Sequence, residues 1–234
     1  LQPGTGPLMQ ASARLRFWGV VARRHPSAFL LAAQLLSLLL YPLMDESPSG
    51  RLLFGAVALV VVPLAVWVVR RSAFFNAIAW LLAVPAVALT LAGVWLGRPE
   101  LLPLSALLES ILYFYAAASL IAYMLDDHEV TRDELFAAGA TFTLLAWGFA
   151  YAYFVCQVWY PGSFTGAVEP GRARSWMELL FLSFTTLSGV GVGDVLPLRA
   201  PARVLVMLEM LAGVGYLAMV VSRLISLTVA RRQA

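Results

Sequence analysis

Residues 183–197 read SFTTLSGVGVGDVLP, and this stretch decides how the rest of the chain is interpreted. It places three glycines at alternate positions, separated by valines and closed by an aspartate, in the order Gly189, Val190, Gly191, Val192, Gly193 and Asp194. Glycine adopts backbone angles that other residues avoid, so the alternation predicts successive carbonyl oxygens that face one axis. A row of such oxygens can replace the water around a cation. A glycine-rich turn between two helices is the plainer alternative, but turns seldom alternate so strictly.

The composition around this stretch is that of a membrane protein. Of the 234 residues, 61% are hydrophobic and 12% are charged, and the mean hydropathy is +0.83. Soluble domains carry about 25% charged residues. The net charge is +3, and the basic residues are all arginines that cluster at the ends of apolar segments. This placement indicates orientation in a bilayer and no nucleic-acid partner.

Six apolar segments are long enough to cross a bilayer, which takes about 20 residues in a helix. They cover residues 27–44, 52–69, 73–96, 101–125, 134–160 and 201–229. Residues 175–187 are also apolar but too short to cross, so we expect a re-entrant helix that leads into the glycine stretch. The predicted fold class is an all-α membrane protein with six transmembrane helices, a re-entrant helix and a loop.

The segments divide the chain into four parts. These are a cytoplasmic or interfacial segment (1–26), a four-helix transmembrane domain (27–125), a cytoplasmic linker (126–133) and a domain that contains the glycine stretch (134–234). If both termini are cytoplasmic, the short outer loops between the first four spans carry only Arg51 and Arg98. The positive-inside rule therefore favours cytoplasmic termini and a re-entrant 175–187.

Over residues 134–229, the order of helix, short pore helix, glycine stretch and long inner helix resembles the pore domain of the tetrameric potassium channel superfamily. The family's filter form T-x-G-Y-G-D matches Gly191, Gly193 and Asp194. The resemblance implies a homotetramer in the lipid bilayer that conducts monovalent cations through a filter at residues 188–194. It implies no cofactor and no metal beyond permeant potassium ions. The first four helices resemble, in length and number, those of small bacterial six-helix ion channels, which implies a bacterial plasma membrane.

Two filter positions depart from the family form. The family tyrosine is replaced by Val192, which removes a phenol that braces the filter. The family threonine falls on Gly189 and is preceded by Ser188, so the innermost ion site has no hydroxyl ring there. Carbonyl groups at residues 189–192 still provide a stack of sites. A potassium channel and a weakly selective cation channel therefore both remain open.

Further site residues lie on either side of the filter. A carboxylate in a membrane helix costs roughly 2.5–3.5 kcal/mol, so Glu209 needs a partner or a proton. We expect it to face Thr185, Thr186 or a filter amide and to brace the filter. By resemblance, Asp194 concentrates cations at the outer mouth and hydrogen-bonds behind the filter, and Gly213 is the inner-helix hinge. The resemblance also implies an apolar cavity lined by Val214, Leu217, Ala218 and Val221.

Other classes of membrane protein explain less of the sequence. A voltage sensor needs regularly spaced arginines, and the fourth span has none before Arg132. A secondary transporter would use intramembrane charges such as Glu109 and Glu209, but it does not explain the glycine–valine alternation. Two histidines and one cysteine do not supply the constellation that an enzyme needs, so no enzymatic activity is predicted.

Overall fold

The computed structural model describes residues 26–44, 63, 65, 73–126 and 132–233. Within these residues the chain is mainly helical, with six α-helices, one short 3-10 helix and two short strands. Nearly all of the predicted N-terminal segment (1–26), nearly all of the predicted second span at 52–69 and most of the predicted linker at 126–133 lie outside the described residues.

The helices follow the apolar segments of the sequence closely. They are α1 (Pro26–Met44), α2 (Ala73–Trp95), α3 (Leu102–Asp126), α4 (Arg132–Trp159), α5 (Trp176–Leu187) and α6 (Ala200–Gln233). A 3-10 helix, Pro99–Leu101, joins α2 to α3. The strands β1 (Phe164–Gly166) and β2 (Val195–Pro197) pair in antiparallel fashion, with Thr165 opposite Leu196.

Four helices, α2, α3, α4 and α6, contain a stretch long and apolar enough to cross a membrane. The helix α5 and the described part of α1 are apolar but shorter. Helical spans are one of only two ways in which a chain can cross a bilayer with its backbone polar groups satisfied. The chain is thus an all-α membrane protein, with four candidate spans in the described part against the six that the sequence predicts.

Helix α4 lies at the centre of the packing and contacts α1, α3, α5 and α6. In the single chain, 61% of its span is buried, against 22% for the span of α6. Helix α6 therefore presents most of its apolar surface away from its own chain.

Aromatic rings fix the start of α5 to the helices before it. Trp176, the first residue of α5, lies 5.5 Å from Trp147 and 5.6 Å from Tyr151 of α4, measured between ring centroids. Tyr113 of α3 packs at 5.7 Å against each of these two α4 rings. Such pairs each contribute about 0.5–1.5 kcal/mol beyond their buried area. They hold α5 against α4, and α3 supports the α4 rings from the other side.

Candidate functional site

The glycine stretch forms an irregular loop directly after α5. Gly189 has φ +74° and Gly191 has φ +66°. These angles lie in the left-handed region that residues with side chains seldom adopt. An added Cβ at either position would meet nothing within 4 Å, so glycine is needed there for its backbone angle and not for space. Gly193 does not share the positive φ.

Backbone hydrogen bonds attach the loop to the last turn of α5. The amide of Gly189 donates to the carbonyl of Thr186 at 3.1 Å, and the amide of Gly191 donates to the carbonyl of Thr185 at 3.0 Å. The Ser188 amide continues the helix by donating to Phe184 at 3.1 Å. Carbonyls at a helix C-terminus have no partner within the helix, and the loop supplies one. Thr185 and Thr186 thus contact the loop through their backbone oxygens.

The side chains of the loop face away from the single chain. Val190 is 66% exposed and Val192 is 64% exposed. Asp194 is exposed as well, and its carbonyl accepts a hydrogen bond from the Ala167 amide at 2.9 Å. Within the described part of one chain, the Asp194 carboxylate makes none of the hydrogen bonds expected behind the filter.

A buried arginine holds together the loop between α4 and α5. The Arg174 side chain is 1% exposed, and its guanidinium donates to the backbone carbonyls of Val168, Glu169 and Arg172. Its Nη1 also lies 3.3 Å from Oε1 of Glu178. This loop pairs with the segment after the filter through β1 and β2. No local pattern in the sequence predicts this role for Arg174.

The N-terminus of α5 carries a capping box. The Glu178 amide donates to Ser175 Oγ at 3.2 Å, and the Ser175 amide donates to Glu178 Oε2 at 2.6 Å. Burial alone would raise the pKa of Glu178, but the Ser175 hydrogen bonds and the charges of Arg172 and Arg174 together hold the pKa below its ordinary value. The S-x-x-E spacing at 175–178 is a sequence signal that identifies this cap.

Glu209 is fully buried in α6 and contacts both α4 and α5. The Tyr153 hydroxyl donates to Oε2, and the Ser183 hydroxyl lies in hydrogen-bond contact with Oε1. Ser183 Oγ also lies 2.8 Å from the carbonyl of Ala146. The expected partners, Thr185, Thr186 and a filter amide, are not the ones that bind Glu209. It faces α5 as expected, but it meets this helix nearer its middle.

The hydrogens available at these contacts favour a neutral carboxyl at Glu209. Three contacts join Tyr153, Glu209, Ser183 and the Ala146 carbonyl, and each needs one hydrogen. The two hydroxyls supply one hydrogen each. A proton on Glu209 supplies the third, so that Glu209 donates to Ser183 and Ser183 donates to Ala146. A neutral Glu209 therefore satisfies every contact, and it also avoids the cost of a buried charge.

Gly213 packs directly against the end of α5. An added Cβ would lie 2.1 Å from the carbonyl oxygen of Leu187, far closer than any real contact. Glycine at this position is therefore required by close packing, a reason different from the hinge that the resemblance implied. Because Glu209 meets Ser183 one helical turn earlier on both helices, α6 contacts α5 at two successive turns.

The residues that the resemblance assigns to a cavity lie together on α6. In the single chain all four are exposed, and they are Val214, Leu217, Ala218 and Val221. At the far end of this helix, Arg223 pairs with Glu134 of α4 at 3.3 Å.

Residues 139–230 match the family model described as Ion channel. The match spans most of α4, the loop with its two strands, α5, the glycine stretch and nearly all of α6. Over this region the chain is similar to the ion channel family, and the match supports a place in the potassium channel superfamily. No curated protein and no solved structure matches the chain.

Proposed function

We propose that four copies of the chain form a potassium channel in which residues 188–194 of each copy line one central filter. The observation that carries this proposal is the loop backbone, with Gly189 and Gly191 at positive φ and their amides bound to the end of α5. Non-helical backbone at membrane depth is tolerated only where protein covers it or where it lines a water-filled path. One copy leaves residues 189–194 exposed, whereas four copies enclose a path.

Several exposed apolar surfaces support assembly with further copies. Phe181 and Val192 are exposed in the single chain, and with Asp194 they border an open depression of about 740 Å³. The exposed side of α6 continues this surface along the membrane-spanning part. In the proposed tetramer, neighbouring copies cover the depression and the side of α6 next to it.

The parts of the site act on a cation in sequence. Asp194 concentrates cations at the outer mouth, and the carbonyls of residues 189–192 replace their water. Below the filter, the C-terminus of α5 carries a partial negative charge of about half an elementary charge, which favours a cation in the cavity. The apolar ring formed by Val214, Leu217, Ala218 and Val221 closes this cavity by excluding water.

In this proposal the channel is not gated by a conventional voltage sensor. Helix α3 takes the place of the last helix before the pore, and its 25 residues include no arginine. Voltage sensors move several arginines through the membrane field. The arginine distribution also supports cytoplasmic termini, and the resemblance supports a bacterial plasma membrane.

A weakly selective cation channel is the second candidate. The observation that favours it is Gly189, which provides no hydroxyl group for the innermost ion site, together with the exposed Val192 in place of a bracing phenol. A secondary transporter is more distant, because the family match and the left-handed glycines both favour a channel.

Ion flux in liposomes tests the proposal. A potassium gradient is expected to drive rapid flux that barium blocks, and Gly191→Ala is expected to reduce it more than tenfold because alanine is strained at φ +66°. Gly171→Ala is the matched control, since Gly171 lies in an exposed loop with nothing within 4 Å and no positive φ, and it should conduct normally. Slow saturable exchange that survives Gly191→Ala would instead show a transporter.

A further inference from the structure

A second buried glutamate, Glu109, lies outside the pore region, and the proposed filter gives it no role. It is 5% exposed in α3 and faces α2. An ionisable residue inside a membrane protein is expensive and is by default a candidate functional site. Its surroundings are oxygen atoms from α2 and α3, close to the loop that joins these helices.

Four oxygen atoms at this place lie unusually close together. Thr90 Oγ1 and Ser105 Oγ are 2.5 Å apart, and they lie 3.2 Å and 3.3 Å from Glu109 Oε1. The same two hydroxyls lie 3.0 Å and 3.1 Å from the backbone carbonyl of Ala86. We call these four residues the α2–α3 oxygen cluster.

The α2–α3 oxygen cluster contains fewer hydrogens than contacts. Five oxygen–oxygen contacts join its members, and only the two hydroxyls carry a hydrogen. A proton on Glu109 would raise the supply to three. At least two contacts would then still bring oxygen lone pairs together with no hydrogen between them. With one proton the cluster therefore remains more crowded than the contacts of Glu209, where a proton supplies every hydrogen that is needed.

Two further buried oxygens make no short hydrogen bond. Glu109 Oε2 is buried without a short hydrogen bond, although the Tyr151 hydroxyl of α4 faces Glu109, and the hydroxyl of Tyr113, one helical turn further along the same side of α3, has no hydrogen-bond partner. The Tyr113 side chain is fully buried. Buried polar groups nearly always have a partner, so these two oxygens indicate that a ligand is to be expected beside the cluster.

We propose that the α2–α3 oxygen cluster binds a small monovalent cation, Na⁺, with Glu109 as its charged ligand. A cation supplies the positive charge that the crowded oxygens lack, and the pair it forms with Glu109 is neutral in the membrane. Carboxylate, hydroxyl and carbonyl oxygens are the ligands of hard cations. The single carboxylate balances one charge, and the short oxygen spacings favour Na⁺ over the larger K⁺.

Other metals fit this place poorly. Transition metals bind through imidazole, thiolate or several carboxylates. The described ranges contain no group of three or more such side chains that could hold a metal ion. The site is independent of the filter, because its residues lie on α2 and α3 and outside the region that matches the ion channel family.

Thermal unfolding of the purified full chain tests the sodium site. Potassium, pH and ionic strength are held constant, so that filter occupancy does not change, while sodium replaces N-methyl-D-glucamine. A ligand that binds only the folded chain raises Tm, by about 3–6 °C at a sodium concentration tenfold above its Kd. Glu109→Gln should abolish this rise, and Ser105→Ala should reduce it.

Ser119→Ala is the matched control, because Ser119 is on the same helix and its hydroxyl donates only to Tyr115 of its own turn, at 2.8 Å. It should keep the full sodium response. If Glu109→Gln does not fold, binding of radioactive sodium decides: one ion per wild-type chain, bound at least tenfold more weakly by Ser105→Ala, supports the site. No saturable sodium binding, an equal Tm rise in Ser105→Ala, or a wild-type response that follows pH and ignores sodium would overturn it.

Discussion

Glu209 and Glu109 are both buried in the membrane domain and both contact hydroxyl groups of neighbouring helices, yet their surroundings differ in one respect. When the Glu209 carboxyl carries a proton, each of its contacts contains a hydrogen. Around Glu109 the contacts outnumber the hydrogens of Thr90 and Ser105 even when the carboxyl carries a proton, and its second oxygen makes no short hydrogen bond. This difference is the basis for proposing a brace between two helices at Glu209 and a sodium site at Glu109.

The largest effect is expected when each glutamate is replaced by alanine. Glu209→Ala leaves Tyr153 and Ser183 without their shared partner and opens a cavity, which should cost about 3–5 kcal/mol and stop potassium flux. Glu109→Ala removes an oxygen from a crowded cluster, so its loss of unfolding free energy should be about 1–2 kcal/mol smaller than that of Glu209→Ala. Chemical unfolding in detergent compares the two variants. Equal losses of stability would remove the distinction between the two sites.

The next effect concerns the second contact between α6 and α5. Gly213→Ala forces a methyl group against the Leu187 carbonyl, so the end of α5 must shift, at a cost of about 1–3 kcal/mol. Because the filter is hydrogen-bonded to the end of α5, ion flux and its block by barium should weaken as well. Gly215→Ala on the same helix is the control, since nothing lies within 4 Å of its added Cβ. A Gly213→Ala protein with normal stability and flux would show that the close contact does not position the filter.

Glutamine at each position sharpens the comparison with smaller changes. At Glu209, an amide can donate to Ser183 and accept from Tyr153, as the neutral carboxyl does. Glu209→Gln should therefore lower the free energy of unfolding by less than about 1 kcal/mol, and the channel should still conduct. A severe loss would show that Glu209 is charged. At Glu109, the amide supplies hydrogens that the cluster lacks, so Glu109→Gln should be at least as stable as wild type without sodium. Urea unfolding in sodium-free buffer measures both.

The smallest effect concerns a partly buried carboxylate at the start of α5, Glu178. Its pKa in the folded chain lies below its ordinary value of 4.5, so its contribution to stability is present above that value and is lost as the pH falls through the lowered pKa. Tm should therefore fall on acidification below about pH 4.5, and Glu178→Gln should flatten this part of the profile. Arg203→Gln, on the exposed outer side of α6, should leave the profile unchanged.

Much of the helical fold was predictable because apolar segments of membrane length have few alternatives. The observed Trp176–Leu187 and Ala73–Trp95 lie within one residue of segments marked in the sequence. The glycines at 189 and 191 were also recognisable, because a strict alternation with valine has a backbone reason. Such features are local, and a local pattern in the sequence is enough to identify them.

The partners of the polar residues were not predictable from local patterns. Glu209 binds Tyr153, which is 56 residues away, and Thr90 meets Ser105 across a turn between two helices. Their choice depends on how the helices rotate against each other, which apolar length does not specify. The same holds for Gly213, whose close contact with Leu187 follows from the approach of α6 to α5.

The reversal potential of the reconstituted channel tests the central proposal most directly. With potassium on one side of a planar bilayer and sodium on the other, a filter built from the carbonyls of residues 189–192 predicts barium-sensitive current that reverses near the potassium equilibrium potential. A reversal near zero would contradict potassium selectivity and favour the weakly selective channel.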